Sequence, residues 1–168
     1  MLYNMEVSYS KIIGGQEMSR VAQLLRAVHA PEAKVITIGP KATVWEASKI
    51  LREKQIGALP VLDEGKLVGI ITERDMNSRL LAERIDPALA LVVDYMTKEP
   101  FYVTPFTDLI DCVNLMKDKK IRHVPVLEKV QDGKKLVGIV SVSDILEVLL
   151  RDQTLMVQQF EAFYMNPR

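Results

Sequence analysis

Histidine, cysteine and aromatic side chains are scarce in this chain, and each shortage narrows what it can do. Two histidines and one cysteine fall short of the clustered nitrogen and sulfur ligands of a structural zinc site, so no metal site is expected. The lone Cys112 excludes a disulfide within the chain. Its place among Leu109, Val113 and Met116 on a helical pattern predicts burial rather than a reactive thiol. His29 and His123 fall in different units, which leaves no nucleophile and base in reach of each other, and neither catalytic residues nor an enzymatic activity is expected. Charge of either sign is not in excess, with 22 Lys and Arg against 22 Asp and Glu, and aromatics make up only 6% of the residues. Without a basic stripe interleaved with aromatics, nucleic acid is not an expected partner. No apolar run approaches the ~20 residues that span a bilayer, and no membrane partner is expected. Residues 1–18 lack the basic start and apolar stretch of an export signal, so the expected location is the cytoplasm.

What the chain does have is a globular composition and a repeat. Hydrophobic residues make up 48% and charged residues 26% of 168, values that suit a folded core. Pro-Val-Leu at Pro60–Leu62 recurs at Pro125–Leu127, and Lys-Leu-Val-Gly-Ile at Lys66–Ile70 recurs at Lys135–Ile139. The first block shifts by 65 positions (60 to 125) and the second by 69 (69 to 138), so the second copy carries four extra residues within Glu128–Lys135. Gly65 and Gly133 mark these segments as hairpin loops, because glycine tolerates the positive φ of a tight connection.

Each copy carries the same succession of elements. In the first, the β-branched run Val35–Ile38 precedes Thr43-Val-Trp-Glu46, a capping box for a helix with Val44, Ala47 and Leu51 on one face. Two short apolar strands follow, Ala58–Leu62 and Leu67–Thr72, and then a helix over 73–81. The second copy matches with Phe101–Val103, a helix over 108–119, strands at His123–Leu127 and Leu136–Ser141, and a helix from Val142. A leading helix precedes each unit to cover the open side of its sheet. Val21, Leu24, Leu25 and Val28 lie on the first, and Asp86-Pro87 opens the second in the cap-then-proline order. Two units this small must pack together to bury enough surface. The expected divisions are an arm at 1–18, units at 19–84 and 85–150, and a helical extension at 151–168, whose Leu155, Val157, Phe160 and Phe163 fold back on the core or meet a second subunit.

The strands Leu67–Thr72 and Leu136–Ser141 run into Thr72-Glu-Arg-Asp75 and Ser141-Val-Ser-Asp144, which place a hydroxyl three residues before an aspartate in both copies. Two readings are open. In one, each pair is a capping box at a helix start. In the other, free backbone N–H groups and the hydroxyl receive a phosphate while the aspartate accepts from ribose hydroxyls.

These residues resemble the cystathionine β-synthase (CBS) domain pair, or Bateman module, over residues 19–150. The marks are a hydrophobic-Pro-Val-hydrophobic segment followed by Leu-Val-Gly-Ile-x-Ser/Thr-x-x-Asp, present in full in both copies, with Met96-Thr97 leading into the second. The resemblance implies an α/β fold of two tandem β-α-β-β-α units packed head to tail about a pseudo-twofold axis, with leading helices and a long C-terminal helix. It also implies two shared clefts for AMP, ADP, ATP or S-adenosylmethionine, ligands that regulate a partner chain, with Mg²⁺ entering only beside a polyphosphate. Carried over by position, one cleft combines Ile70, Thr72 and Asp75 with Phe101, Ile121, Arg122 and His123. The other combines Ile139, Ser141 and Asp144 with Ile36, Ile56, Gly57 and Ala58. The second set has no basic side chain for a phosphate, so the sites should be unequal and the Arg122 cleft tighter. Pairs of such modules associate, which makes a homodimer the expected assembly. The alternative function is a structural or interaction module with empty clefts that acts through dimerisation.

Overall fold

The structure, a computed structural model, describes residues 20–28, 34–131, 133–148 and 150. The expected arm at 1–18 and extension at 151–168 lie outside the described residues. Two hairpins form the centres of the two units. In the first, β1 (Ala58–Asp63) pairs antiparallel with β2 (Lys66–Thr72) around Glu64 and Gly65, whose φ values of 46° and 78° are those of a two-residue primed turn. In the second, β4 (His123–Val130) pairs with β5 (Gly133–Ser141). The four extra residues thus enter the strands and not the loop, because Lys129↔Lys134 and Val130↔Gly133 prolong the ladder past the end of the first hairpin. An addition of two residues per strand keeps every side chain on its own face. Each hairpin carries a register shift at the equivalent place, Val61/Leu62 and Val126/Leu127.

The runs Val35–Ile38 and Phe101–Val103 do not form full strands. Each is cut to one parallel bridge, Ile38↔Val61 and Val103↔Val126, and prolines explain the shortness. Ile38 donates to the Pro60 carbonyl at 3.1 Å and accepts from Leu62 at 2.9 Å. The next donors on either side would be Pro60 and Pro40, which have no N–H. Val103 repeats the pattern with Pro125 at 3.0 Å and Leu127 at 2.9 Å, bracketed by Pro125 and Pro105.

Helices α1 (Val21–Val28), α2 (Val44–Lys54), α3 (Glu73–Asp75), α4 (Val92–Tyr95), α5 (Leu109–Lys119) and α6 (142–148) surround the hairpins. The Thr43 capping box of α2 is formed in both directions: Glu46 N donates to Thr43 Oγ1 at 3.2 Å and Thr43 N donates to Glu46 Oε2 at 2.8 Å. Val44, Ala47 and Leu51 are buried as the pattern predicts. The helix expected over 73–81 begins as α3 and runs on as a π-helical stretch, Met76–Leu81. Asp86-Pro87 opens only a turn, in which the Asp86 carbonyl accepts from Leu89 at 3.1 Å and Ala90 at 3.2 Å. The helix waits until Val92 because residues 90–92 are stitched to the start of α2, Val44 N to Ala90 O and Val92 N to Ala42 O, both at 2.8 Å.

The leading helices cover sheets as expected, but each covers the sheet of the other unit. From α1, Val21 and Leu24 pack with Val103, Cys112, Val124, Val126 and Val140 of the second core. From α4, Val92 and Met96 pack with Ile38, Leu51, Leu59 and Ile71 of the first. Two equivalent glycines permit these crossings. A Cβ on Gly138 would stand 2.8 Å from Leu25 Cδ1, and one on Gly69 would overlap the Met96 thioether. After α4, the short β3 (Thr97–Lys98) joins the first sheet beside β2, pairing Gly69↔Lys98 and Ile70↔Thr97.

Candidate functional site

The two hydroxyl–aspartate pairs both form capping boxes, and neither box exhausts its carboxylate. Asp75 Oδ2 accepts from Thr72 N at 3.0 Å and Thr72 Oγ1 at 2.6 Å, while Asp75 N donates to Thr72 Oγ1 at 3.2 Å. Its other oxygen, Oδ1, has only long partners, Thr97 Oγ1 at 3.4 Å and Arg79 Nη2 at 3.5 Å. Asp144 Oδ2 is held in the same way by Ser141 N at 2.7 Å and Ser141 Oγ at 2.8 Å. The cap and the ribose grip are therefore compatible: one oxygen secures the helix start and the other remains for an incoming hydroxyl. Arg79 also donates to the carbonyls of Tyr95 at 3.0 Å and Met96 at 3.2 Å, which fixes the end of α4 beside Asp75.

Two cavities lie between the units. The smaller, of about 140 Å³, is lined by Ile70, Thr72 and Asp75 from the first unit and by Phe101, Ile121, Arg122 and His123 from the second. That is the whole of the first expected set. Arg74, Thr97 and Pro100 complete the wall. The larger, of about 500 Å³, takes Ile56, Gly57 and Ser141 from the second expected set. It does not take the rest: Ala58 is buried in the first unit, Ile36 packs against the first core, and Ile139 and Asp144 are half-buried away from its wall. Nor does it lack basic groups, for Arg52, Arg122 and His123 stand in its wall with Gln55, Glu73 and Ser143.

Pseudosymmetry explains the meeting of the units. Gly57 and Arg122 occupy equivalent positions, each with its carbonyl accepting from the residue that opens the following helix, Glu73 N at 3.2 Å and Val142 N at 3.0 Å. Across the junction, Arg74 Nη1 donates to the Lys120 carbonyl at 2.8 Å, at the left-handed cap that ends α5. The His123 ring lies against Gly57, where a Cβ would stand 3.0 Å from both Cε1 and Nε2. Burial holds the His123 imidazole below its ordinary pKa, and the adjoining Arg122 charge lowers it further, while Asp144 and Glu73 pull the other way. Cys112 is buried in the second core, and burial pushes its thiol up to about 11. Among the described residues no group of three or more His, Cys, Asp or Glu is placed to hold a metal ion, and no helix is long and apolar enough to cross a membrane.

Arg52 and Gln55 carry no motif, and their presence in the larger wall follows from how the end of α2 meets the start of α6, while Ser143 lies inside the Ser141–Asp144 segment. Thr97 had a signal, since Met96-Thr97 leads into the second copy, and Arg74 lies inside the Thr72–Asp75 segment.

Two like units of hairpin and helices, interlocked through exchanged leading helices and enclosing paired cavities, define a tandem α/β module. The CBS domain family model matches residues 25–82 and 92–151, and the chain belongs to the CBS-domain family with two copies in tandem. No catalytic domain is evident among the described residues. A protein with CBS domains from Burkholderia ambifaria MC40-6 superposes with a TM-score of 0.75 at 32% identity, over 80% of this chain and 96% of that one. The CBS domain pair of protein MJ0100, solved in complex with 5′-methylthioadenosine and S-adenosyl-L-methionine, superposes with a TM-score of 0.66 at 30% identity, over 78% and 95%. CBSX2, solved in complex with AMP, superposes with a TM-score of 0.62 at 27% identity, over 79% and 97%.

Proposed function

We propose that the chain, with units at 19–84 and 85–150, is a cytoplasmic sensor that binds an adenosine-containing ligand between its two CBS units and regulates another protein chain. The observation that carries this reading is the convergence of Ile70, Thr72, Asp75, Phe101, Ile121, Arg122 and His123, from two segments of the chain, on one cavity. Asp75 Oδ1 receives the ribose, Ile70 and Ile121 border the base, and Arg122 receives the phosphate. The similarity to pairs solved with AMP and with S-adenosyl-L-methionine supports the same ligand class. At about 140 Å³ the cavity is smaller than the ~300 Å³ at which ligand pockets begin. Binding therefore entails an opening of the wall, with the ring of Phe101, a 51% exposed lining residue, closing on the base.

A ligand that binds the folded state alone raises the melting temperature. At 100 times its Kd, at least one of AMP, ADP, ATP and S-adenosylmethionine is expected to stabilise the full chain by about 2.7 kcal/mol, read as a shift of several degrees. Four flat melting curves at millimolar ligand overturn the proposal. The chain acts in this reading as a homodimer. Trp45 and Ile110, at equivalent positions on α2 and α5, are 55% and 57% exposed, which suits a paired surface that follows the pseudo-twofold. Light scattering at twice 19.0 kDa is the expected result, and a monomeric mass removes the dimer.

A further inference from the structure

The two cavities share a wall. Arg122 and His123 line both of them, whereas Arg52 lines only the larger and Arg74 only the smaller. The main chain of Arg122 is pinned through its carbonyl to Val142 N at 3.0 Å, but its exposed guanidinium has no hydrogen-bond or ion-pair partner among the described residues. Arg74, by contrast, already spends one guanidinium nitrogen on the Lys120 carbonyl. At the position equivalent to Arg122 the first unit has Gly57, which supplies no side chain and leaves room for the His123 ring. A pair with arginine at both equivalent positions would give each cavity its own guanidinium at that position. This pair has one there, Arg122, shared by both walls, with Arg52 elsewhere in the wall of the larger and Arg74 committed at the smaller.

We propose that the two cavities draw on the same Arg122 guanidinium, so that a phosphate-bearing ligand in either cavity weakens the binding of a second in the other. The inference rests on the nucleotide reading of the smaller cavity and extends it to the relation between the two. A guanidinium fork tethered at its main chain grips one phosphate at a time in bidentate fashion. The repulsion between two phosphates beside one dipeptide acts in the same direction.

Titration calorimetry of the full chain with AMP, and with adenosine as the phosphate-free probe, tests the linkage. Wild type should take up AMP in two steps, the second weaker by about tenfold or more, which is ~1.4 kcal/mol or more. Asp75→Asn keeps an oxygen for the cap but weakens the smaller cavity, so Arg122 is released to the larger. The remaining AMP step should then be about tenfold tighter than the wild-type second step, and adding Arg122→Ala should abolish that gain. Adenosine should show no such gain. Phe101→Ala, at an exposed residue of the smaller cavity alone, should give the same pattern in a variant whose capping box is untouched. If the remaining AMP step in both variants stays at the wild-type second-step value, or keeps its gain when Arg122 is removed, the shared arginine is overturned and the nucleotide reading stands. If wild type binds neither AMP nor adenosine, both go.

Discussion

His123 is a titratable group placed where the two units touch, and its surroundings bear on how the junction responds to acid. The ring is packed against Gly57 and flanked by Arg122, so burial first and the neighbouring cation second keep it neutral, against the pull of Asp144 and Glu73. Its folded pKa is therefore below the ordinary 6.5. For a group whose folded pKa is depressed, the unfolded chain binds more protons in the interval between the two values. Stability is then complete above the unfolded pKa and declines as pH falls through it towards the folded pKa. Melting temperatures of wild type and His123→Gln should run parallel above pH 7, and wild type should fall away faster below about pH 6.5. Parallel curves down to pH 5 would show that the imidazole is not held neutral. The same placement explains why Arg122 and His123 were legible in the sequence as residues that face the other unit while their membership of both cavities was not. The Arg-His pair stands out against its counterpart Gly57-Ala58, but only the packing of ring on glycine brings both cavities to one dipeptide.

At the scale of elements, the capping boxes separate local stability from the site. Thr43 and Glu46 form a box on an exposed face with no part in either cavity, and the hydrogen bond from the Thr43 amide holds the Glu46 carboxyl below the usual carboxylate range. Thr43→Ala should cost about 1 kcal/mol in urea unfolding and leave ligand binding unaltered. An equal loss of AMP affinity would mean that α2 reports to the site. These boxes, the helix faces and the hairpins were readable because their signals are local: a hydroxyl three residues before an acid, apolar spacing, glycine at a turn. The truncated strands were readable in principle, since Pro40, Pro60, Pro105 and Pro125 remove the donors a longer parallel ladder needs, yet that follows only once Ile38 is known to lie beside Val61. Asp86-Pro87 misled for the converse reason. Its cap is real, with Ala88 N donating to Asp86 Oδ1 at 2.9 Å, but the long-range pairing of 90–92 with 42–44 takes the backbone groups that a helix would have used.

In the whole molecule, the exchanged leading helices make the two units depend on each other, and no repeat pattern reveals the exchange because a helix that covers an equivalent sheet looks the same in sequence. Each core is closed by a segment that precedes the other unit, α1 on the second through Val21 and Leu24, α4 on the first through Val92 and Met96. The junction that holds both cavities is thus flanked by two crossings, and a defect in one helix should be felt where that helix packs and not where it lies in the sequence. Leu24 is fully buried, so Leu24→Ala should cost about 2 to 5 kcal/mol. Native-state hydrogen exchange locates the loss: amides of β4 and β5, more than 90 residues along the chain from Leu24, should lose protection before those of β1 and β2, which begin 34 residues away (24 to 58). Earlier exposure of β1 and β2 would place α1 on its own unit and undo the interlocked arrangement. If β4 and β5 open first, His123 and Arg122 at the head of β4 open with them, and adenosine-ligand binding should fall in step with the protection of that hairpin although Leu24 lines neither cavity.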